Sequence, residues 1–316
     1  MPTRPPAGAA PFDAGTAPQT LADLIGWIAD RFDAAELYFG HGTDNALDEA
    51  AWLACHVLEL TPEALDDRLE DTLAPAARAR MLDITRRRIE SHKPLAYLIN
   101  EAWFAGRRYY VDERVIVPRS HLGEFVLEQF QPWIDPSRVR RVLDVCTGSG
   151  CIALAAAHAF PDATVVGTDI SAEALAVAAR NVEQHALAAR VTLHRADCYD
   201  GAPSARYDVI LSNPPYVHPD EIATLPEEYR HEPPLALVSG DDGLALVRRL
   251  LAGAAARLAP HGILLVETGN SAEALQAAFP SVPFTWLTTS TGDESVFLLT
   301  AEQLAQHQTL FDRACG

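Results

Sequence analysis

Three polar segments in the second half of the chain have residue types and spacings that suit a ligand site. The first covers residues 143–150, where a predicted strand ends and a predicted helix begins. Its glycines let the backbone approach a ligand closely, and the start of a helix offers unpaired N–H groups to a carboxylate or phosphate. Asp144 is an anion at the end of the strand and would suit a cationic ligand group such as an amine or a sulfonium.

The second segment is a single acidic residue, Asp169, which ends the next predicted strand 19 residues after Gly150. A carboxylate at this place in a nucleotide-binding fold accepts hydrogen bonds from both hydroxyls of a ribose. Capping of the following helix competes poorly as an explanation, because Ser171 already provides a cap. Residues 148–153 also match the G-x-G-x-x-A pattern, so these two segments alone leave an enzyme that uses nicotinamide dinucleotides open.

The third segment, Asn213-Pro214-Pro215-Tyr216, directly follows another predicted strand and decides between these alternatives. The two prolines fix two φ angles and remove two donors, which leaves the carbonyls here as rigid acceptors. Asn213 adds a side-chain acceptor, and Tyr216 adds an aromatic wall. Two acceptors beside a flat wall suit a planar NH2 group on an amide or on adenine. A proline loop that merely ends a strand is the weaker explanation, given the two segments upstream.

These segments need a sheet whose strands end at one edge, and the chain beyond residue 120 alternates strand and helix accordingly. Strands separated by helices imply right-handed crossovers and a parallel sheet that is covered on both faces. The last two apolar stretches are close in sequence and predict an antiparallel hairpin at the sheet edge. The predicted strands are 139–145, 164–169, 191–194, 207–212, 262–268, 284–287 and 295–299, and the predicted helices are 152–158, 172–185 and 242–258.

The residues before this sheet predict three further parts of the chain. Residues 1–19 are rich in Pro, Ala and Gly, and they predict a disordered tail that is not a signal peptide. Residues 20–95 show helical periodicity and predict a small helical domain. Residues 96–119 carry aromatic and β-branched residues and predict a β-hairpin linker. Residues 120–316 then form the domain that contains the sheet.

Particular residues predict where the first helices and the hairpin begin. Thr20 and Asp23 form a pair typical of a helix start, and Asn45 is expected to cap the second helix. Pro75 suits the first turn of a third helix, which runs to about residue 92. Gly106 lies at the centre of the predicted hairpin.

The composition and net charge of the chain favour some classes of function over others. The 316 residues include 25 Lys and Arg against 43 Asp and Glu, a net charge of −18. This charge opposes a broad phosphate-binding surface and favours a basic macromolecular partner over DNA. The five scattered cysteines fit free thiols in the cytoplasm and do not suggest a metal site. Arginine clusters at residues 86–88 and 138–141 predict solvated faces, with an RNA contact as the alternative.

Taken together, the three segments resemble a class I methyltransferase of the branch that methylates planar amino groups. From about Thr20 onward the chain closely resembles the family of protein glutamine N(5)-methyltransferases. Release-factor enzymes of this family usually show Pro-Arg-Pro followed by Thr-Glu, whereas this chain has Pro118-Arg119-Ser120. The departure favours the branch that acts on large-subunit ribosomal protein L three. The resemblance is carried by residues 38–45, 102–104, 110–120, 228–233 and 282–287.

The resemblance implies an α/β Rossmann-like fold, with a mostly parallel sheet, an antiparallel C-terminal hairpin and an N-terminal helical domain that recognises the substrate. It implies that S-adenosyl-L-methionine, without a metal, methylates the side-chain amide nitrogen of a glutamine in ribosomal protein L three in the cytoplasm, with a role in ribosome assembly. The implied cofactor-binding residues are Asp144, Cys146, Thr147, Gly148, Ser149, Gly150, Asp169, Asp197, Cys198 and Asn213, and the implied catalytic residues are Asn213, Pro214, Pro215 and Tyr216.

Several alternatives stay open at this point. Asp197 is as well explained by a loop-capping carboxylate as by contact with adenine. Arg119 and Glu124 are expected to tie the linker to the sheet domain and not to catalyse. A release-factor methyltransferase shares the chemistry, and a nucleic-acid adenine methyltransferase is more remote because it needs a surface that grips a duplex. A module that binds the ribosomal protein without catalysis is opposed by the intact Asn213–Tyr216 segment.

Overall fold

The structure is a computed structural model that describes residues 14–240 and 242–315. The chain divides into two compact units. One contains the residues up to Glu101 together with Pro226–His231, and the other contains Ala102–Leu225 together with the residues from Glu232 onward. None of the helices in the described ranges is long and apolar enough to cross a membrane.

The first unit, called the helical unit below, is built from helices whose apolar faces pack together. Leu24, Ile28 and Phe32 follow one another at helical spacing along the first helix, and all three are buried. The second and fourth helices also bury one side each. The unit contains α1 (Leu21–Ala34), α2 (Ala46–Leu58), α3 (Pro62–Asp66), α4 (Pro75–Ser91) and α5 (Leu95–Ile99). The three predicted helices are confirmed, whereas α3 and α5 are too short to show a periodicity.

The three predicted helix starts are confirmed. The Asn45 side chain accepts a hydrogen bond from the Asp48 N–H at 2.9 Å, and Pro75 lies in the first turn of α4. Thr20 occupies the N-cap position of α1 and pairs with Asp23 through their side chains, without a hydrogen bond from a backbone N–H to its hydroxyl. The Thr20 hydroxyl donates to the Asp23 carboxylate at 2.6 Å, and an ionised acceptor binds a hydroxyl more strongly than a neutral one.

The prediction of a disordered tail concerns residues 1–19, and residues 1–13 lie outside the described residues. The rest of the segment differs from the prediction. Ala14–Thr16 forms a 3-10 helix, and Ala17 is buried. The Arg78 side chain donates to the Pro18 carbonyl at 2.9 Å. Contact with α4 therefore orders residues that composition alone marks as a loose tail.

The predicted hairpin is present but shorter than residues 96–119. Strands β1 (Ala102–Phe104) and β2 (Arg107–Tyr109) pair antiparallel. Ala105 and Gly106 both have positive φ, as a two-residue turn between twisted strands requires. Residues 111–117 contain buried valines, yet they do not continue the ladder because side chains bind their backbone groups instead. The N–H of Val117, for example, donates to the Glu232 carboxylate at 3.0 Å.

The second unit, called the sheet unit below, has seven strands in the order β5-β4-β3-β6-β7-β9-β8. The first five in this order pair parallel, and β9 pairs antiparallel with both β7 and β8. The fold is therefore the predicted class I methyltransferase fold, mostly parallel with an antiparallel C-terminal hairpin. The strands are β3 (Arg141–Val145), β4 (Thr164–Asp169), β5 (Val191–Arg195), β6 (Tyr207–Ser212), β7 (Leu258–Glu267), β8 (Thr285–Leu287) and β9 (Val296–Thr300).

Helices cover both faces of this sheet, which separates two apolar clusters. Val142 of β3 belongs to one cluster and the adjacent Leu143 to the other, as alternation along a strand requires. The C-terminal helices were not predicted, but Phe311 is buried there against Phe279. The helices of the unit are α6 (Leu122–Leu127), α7 (Cys151–Ala159), α8 (Ala172–Gln184), α9 (Ala245–Ala254), α10 (Ala272–Ala278), α11 (Ala301–Gln306) and α12 (Gln308–Cys315).

Candidate active site

The sheet brings the three polar segments to one edge. Strands β4, β3 and β6 are neighbours, and in their register Val145 pairs with both Thr168 and Ser212. Cys146 and Asn213 follow the ends of β3 and β6, and Asp169 is the last residue of β4, so the segments start side by side. Ligands of open α/β sheets bind outside the carboxyl ends of the strands, which is where these residues lie.

The loop after β3 leaves open space beside its backbone. Cys146, Gly148 and Gly150 all have positive φ, which glycine adopts freely and cysteine does not. A Cβ on Gly148 would meet no described atom within 4 Å, so this glycine faces room for a ligand. A Cβ on Gly150 would lie 3.2 Å from the Ala178 Cβ, so this glycine permits close packing on α8. Gly150 also precedes α7 and has no side chain that could cap it.

Asp144 lies fully buried under this loop. One carboxylate oxygen, Oδ2, accepts hydrogen bonds from the Thr147 hydroxyl at 2.6 Å and from the Ala153 N–H at 3.1 Å. The other oxygen, Oδ1, has no hydrogen-bond partner among the described residues. Burial raises the pKa of Asp144 to about 7, and the nearby Asp169 charge acts in the same direction. A cationic group at Oδ1 would give this oxygen a hydrogen-bond donor. Its charge would favour the ionised carboxylate and so oppose the effect of burial on the pKa.

Asp169 holds the loop and the next helix together. Its Oδ2 accepts the Gly148 N–H at 2.9 Å, and its Oδ1 accepts the Ser171 N–H at 2.9 Å. The Ser171 side chain caps α8 through the Ala174 N–H, so Asp169 is not the cap. Each carboxylate oxygen has a second lone pair for a hydroxyl donor. Burial raises the pKa of Asp169 above its ordinary value.

The turn after β5 contains Asp197 and Cys198. Asp197 and Asp200 exchange two backbone hydrogen bonds, of 2.9 and 3.0 Å, across this turn. The Asp197 carboxylate accepts a hydrogen bond from Arg249 of α9 at 2.6 Å, and so it does not cap its own loop. Cys198 has positive φ and is buried, which raises its thiol pKa to about 12 and keeps the thiol protonated. A contact of this turn with adenine stays a prediction.

The segment after β6 packs closely against glycines of neighbouring loops, where any side chain would collide with it. A Cβ on Gly269 would lie 2.4 Å from the Tyr216 ring, and a Cβ on Gly243 would lie 2.6 Å from the Tyr216 carbonyl oxygen. The same carbonyl accepts a hydrogen bond from the Ser271 hydroxyl at 3.1 Å. The Asn213 side chain is half-buried, and within the described ranges its amide is not engaged in a hydrogen bond. Its acceptor oxygen is therefore available to a ligand.

The chain matches two family models that together cover most of its length. A model described as the PrmC N-terminal domain matches residues 24–99, and one described as the methyltransferase small domain matches residues 124–226. The chain is 48% identical over 287 residues to the ribosomal protein uL3 glutamine methyltransferase of Bordetella pertussis, which covers 90% of this chain and 96% of the relative. Proteins of the same name from Neisseria meningitidis serogroup A (48% identical, 90% and 94% covered) and Burkholderia pseudomallei (47%, 90% and 96%) are similar to it.

The chain belongs to the family of ribosomal protein uL3 glutamine methyltransferases. Its site residues fit the cofactor of such an enzyme, S-adenosyl-L-methionine. The unpartnered Asp144 oxygen suits the ammonium group, and the uncapped start of α7 suits the carboxylate. Asp169 suits the ribose hydroxyls, and the space beside Gly148 lets the ligand approach the backbone. Among the described residues no group of three or more His, Cys, Asp and Glu side chains could hold a metal.

Two residues near the cofactor segments were missed by the sequence analysis. Asn181 of α8 is fully buried; its side-chain oxygen accepts the Tyr110 N–H at 2.7 Å, and its amide donates to the carbonyls of Tyr110 and Ser149 at 3.0 and 2.8 Å. It therefore joins the linker to the cofactor loop. A polar residue on the apolar face of an amphipathic helix was the available signal. Ile170 is 42% exposed directly after Asp169 and offers an apolar surface to a base.

Arg119 ties the end of the predicted linker to the sheet unit as predicted, whereas the contact of Glu124, a residue of α6, lies within that unit. Arg119 donates to both carboxylate oxygens of Glu232, and Glu124 accepts from the Ser290 N–H at 2.7 Å. A buried acid at the end of β7, Glu267, accepts the Ser120 hydroxyl and the N–H of the next residue. Burial raises the Glu267 pKa. These contacts give Arg119 and Glu124 structural roles.

The arginine cluster of α4 is engaged by carboxylates. Arg86 donates to Asp83 at 2.7 Å and to Glu90 at 2.8 Å, on the surface of the helix. Arg88 is buried and pairs with two carboxylates. An RNA contact through these residues is therefore not supported, and the surface part of the cluster is a solvated helix face.

Proposed function

We propose that this chain transfers a methyl group from S-adenosyl-L-methionine to the side-chain amide nitrogen, N(5), of a glutamine in ribosomal protein uL3. The products are N(5)-methylglutamine and S-adenosylhomocysteine. Identity of 47–48% with uL3 glutamine methyltransferases over 90% of the chain supports this activity over methylation of release factors or adenine. The single observation that carries the chemistry is the position of Asn213–Tyr216 beside the cofactor segments at one edge of the sheet.

The amide nitrogen of glutamine is a poor nucleophile because its lone pair is delocalised into the carbonyl. We assign Asn213 Oδ1 and the Pro214 carbonyl as acceptors of its two N–H bonds. These acceptors orient the nitrogen and stabilise the partly positive, more pyramidal transition state more than the planar ground state. Tyr216 forms a wall against the planar group and is itself held by Gly269.

The cofactor supplies an electrophilic methyl on a sulfonium. The nitrogen lone pair forms the new N–C bond as the C–S bond breaks, and the electron pair of that bond stays on sulfur. Rigid positioning of the acceptor nitrogen by Asn213 and Pro214 supplies much of the rate enhancement. One proton leaves the methylated nitrogen for water, since none of the assigned residues is a base.

We assign cofactor binding to the loop and strand-end residues around these acceptors. Asp144 faces the ammonium group, Cys146–Gly150 surround the methionine part, and Asp169 receives the ribose hydroxyls. Asp197 and Cys198 flank the adenine through their turn. The support for this assignment is the adjacency of strands β4, β3 and β6, whose ends carry most of these residues.

We further propose that the helical unit recognises the protein substrate in the cytoplasm. Residues 1–95 carry 16 acidic and 9 basic side chains. A ribosomal protein has basic surface for RNA, and charge complementarity steers such a partner and fixes its orientation. If the affinity for uL3 showed no dependence on ionic strength, this part of the proposal would fail.

Transfer of a tritiated methyl group tests the activity. Wild-type protein is incubated with labelled cofactor and, separately, with unmethylated uL3, unmethylated release factor and DNA, and mass spectrometry locates the mark. We expect label on a glutamine of uL3, and none with Asn213→Ala. Thermal unfolding of the variant, compared with that of wild type, serves as the folding control. Label on release factor alone or DNA alone would contradict the proposed substrate.

A further inference from the structure

The helical unit contains a segment from far along the chain. Pro226–His231 groups with the residues up to Glu101, whereas Leu225 and Glu232 group with the sheet unit. The segment begins ten residues after Tyr216, the last of the proposed substrate-binding residues. A short continuous piece of chain therefore connects these residues to a part of the helical unit.

A buried arginine of α4 holds this segment. Arg88 and Glu228 are each 1% exposed, and the Arg88 Nη1 donates to Glu228 Oε1 at 3.2 Å. The same oxygen accepts the backbone N–H of Tyr38 at 2.9 Å. The guanidinium also donates through Nε to Glu49 of α2 at 2.7 Å and through Nη2 to the Tyr38 carbonyl at 3.0 Å. One guanidinium thus serves two carboxylates, one from a helix and one from the segment.

Aromatic packing adds to the ion pair. The Tyr229 ring lies 4.7 Å from the His41 ring and 5.8 Å from the Tyr38 ring, measured between centroids. Two residues further on, the His231 Nε2 lies 2.9 Å from the Ser91 carbonyl oxygen, to which it donates. Three residues of one 3-10 helix, Glu228, Tyr229 and His231, therefore contact α4 and the loop between α1 and α2.

The residue after this segment, Glu232, is a second buried carboxylate. Glu232 accepts hydrogen bonds from Arg119 through both oxygens, at 2.5 and 2.6 Å, and from the Val117 N–H at 3.0 Å. Glu228 and Glu232 therefore fix the chain at two points four residues apart. Between Tyr216 and these points the chain has one parallel bridge, Val217 with Val238.

A buried ion pair is seldom the most stable solution, because both charges lose their hydration. What such a pair provides is a defined geometry that apolar packing does not impose. We propose that Glu228, bound by Arg88, is a positioning residue for methyl transfer, which fixes the chain that continues from Asn213–Tyr216 and so orients the substrate amide. The inference rests on the proposed function, and it gives the helical unit a part in the transfer step besides docking.

The two carboxylates on Arg88 offer a matched pair of variants. Glu49→Gln and Glu228→Gln each remove one negative charge from the same guanidinium, at a site that is equally buried. Only Glu228 lies on the segment that continues from the substrate-binding residues. A structural role in the helical unit predicts similar effects of the two substitutions, and a positioning role predicts different ones.

The experiment measures kcat and KM for uL3 methylation by the full-length variants at saturating cofactor, together with thermal unfolding and S-adenosylhomocysteine affinity. We expect Glu228→Gln to lower kcat about 10- to 100-fold, the cost of a small misplacement of reacting groups. We expect Glu49→Gln to keep kcat within about twofold, with a comparable fall in Tm. Cofactor affinity stays unchanged in both. Equal losses of kcat in the two variants, or no loss in either, would overturn the proposal.

A second measurement does not depend on the substrate, and comparison with Glu49→Gln corrects for the faster exchange that a loss of global stability causes. Hydrogen–deuterium exchange reports on the Val217 N–H, which donates to the Leu237 carbonyl at 2.8 Å. We expect faster exchange at this amide in Glu228→Gln than in wild type or Glu49→Gln. Tyr229→Leu, which removes the ring contacts and leaves the ion pairs, is the variant to use if Glu228→Gln does not fold, and we expect the same direction.

The outcomes separate this inference from the proposed function. If wild type does not label uL3, the proposed substrate is wrong, while the exchange comparison still tests the positioning role. If wild type labels uL3 and Glu228→Gln exchanges and reacts like Glu49→Gln, the function stands and the positioning role of Glu228 is refuted.

Discussion

Lowering the pH from 7.5 to 6 is expected to weaken cofactor binding through one carboxyl group, that of Asp144. The side chain is fully buried, its Oδ1 has no hydrogen-bond partner among the described residues, and burial raises its pKa to about 7. The cationic group that we assign to this oxygen requires the ionised carboxylate. Below the pKa, binding must therefore release a proton, and the release opposes binding more strongly as the pH falls.

The magnitude follows from the fraction of ionised carboxyl. With a pKa of about 7, roughly 9% of Asp144 is ionised at pH 6 and roughly 76% at pH 7.5. The association constant for S-adenosylhomocysteine therefore falls about eightfold over this range, and binding at pH 6 releases about 0.9 proton. Asp144→Asn removes a hydrogen bond to a charged group, worth about 1.5–3 kcal/mol, and is expected to lower the affinity about 10- to 100-fold. The affinity of this variant is expected not to change with pH between 6 and 7.5.

Isothermal titration calorimetry in two buffers of different ionisation enthalpy measures both the affinity and the proton release. Thr147→Val is the matched control, because the Thr147 hydroxyl donates to Asp144 at 2.6 Å and favours its charged form. Its loss moves the midpoint of the pH dependence upward. An affinity that does not change between pH 6 and 7.5, or a slope that survives in Asp144→Asn, would refute the assignment of Asp144 to the cationic group.

The same carboxyl also affects the stability of the protein without ligand. Its ionisation as the pH rises strengthens cofactor binding but lowers the free energy of unfolding. Because its pKa is higher in the folded state than in the unfolded state, the folded state loses stability as the pH rises from about 4 to about 7. Asp144→Asn is therefore expected to unfold at a higher temperature than wild type at pH 8. The difference shrinks as the pH falls and disappears only below about pH 3, where the carboxyl is neutral in both states. A variant that is less stable than wild type at pH 8 would contradict the raised pKa.

Three further predictions concern residues around the site. Gly269→Ala places a Cβ 2.4 Å from the Tyr216 ring and is expected to lower kcat about 10-fold or more. Gly292→Ala is the control, because Gly292 also has positive φ but faces open space. It is expected to lower the free energy of unfolding by only about 1 kcal/mol and to leave kcat unchanged. Asn181→Ala is expected to weaken S-adenosylhomocysteine binding in calorimetry, since the Ser149 carbonyl of the cofactor loop loses its donor; unchanged affinity would leave Asn181 a purely structural role. Burial, and then nearby positive charge, lowers the pKa of His158, so the protein is expected to lose stability as the pH falls below about 6.5, and less so in His158→Gln; equal Tm profiles would contradict this.

Much of the fold could be predicted because it depends on local pattern. The strands that end at Asp169 and Ser212 begin and end where predicted. The three polar segments could be placed at one edge because carboxyl ends of neighbouring parallel strands must coincide. Asn45 and Ser171 cap helices through contacts with residues three positions away, which are visible in sequence.

The residues that could not be predicted are those whose partners are distant along the chain. Asn181 binds residues 32 and 71 positions away. Its place on the apolar face of α8 indicates a buried polar residue, but the local sequence does not identify these partners. The C-terminal helices were missed because their apolar positions are few, although Phe311 is fully buried.

The segment from Glu228 to Glu232 shows why charge in a sequence is a poor guide to position. Two acidic residues four apart, with Arg230 and His231 between them, are typical of a solvated helix face, where such residues contribute little to stability. Here Glu228 lies in a 3-10 helix that ends at His231, Glu232 follows that helix, and each carboxylate is buried against a different arginine. A carboxyl group buried away from water needs hydrogen-bond donors placed to meet it, and Arg88 and Arg119 supply them. Acidic residues can therefore either lie solvated on a surface or fix the backbone. Their burial and their partners, which the sequence does not show, distinguish the two roles.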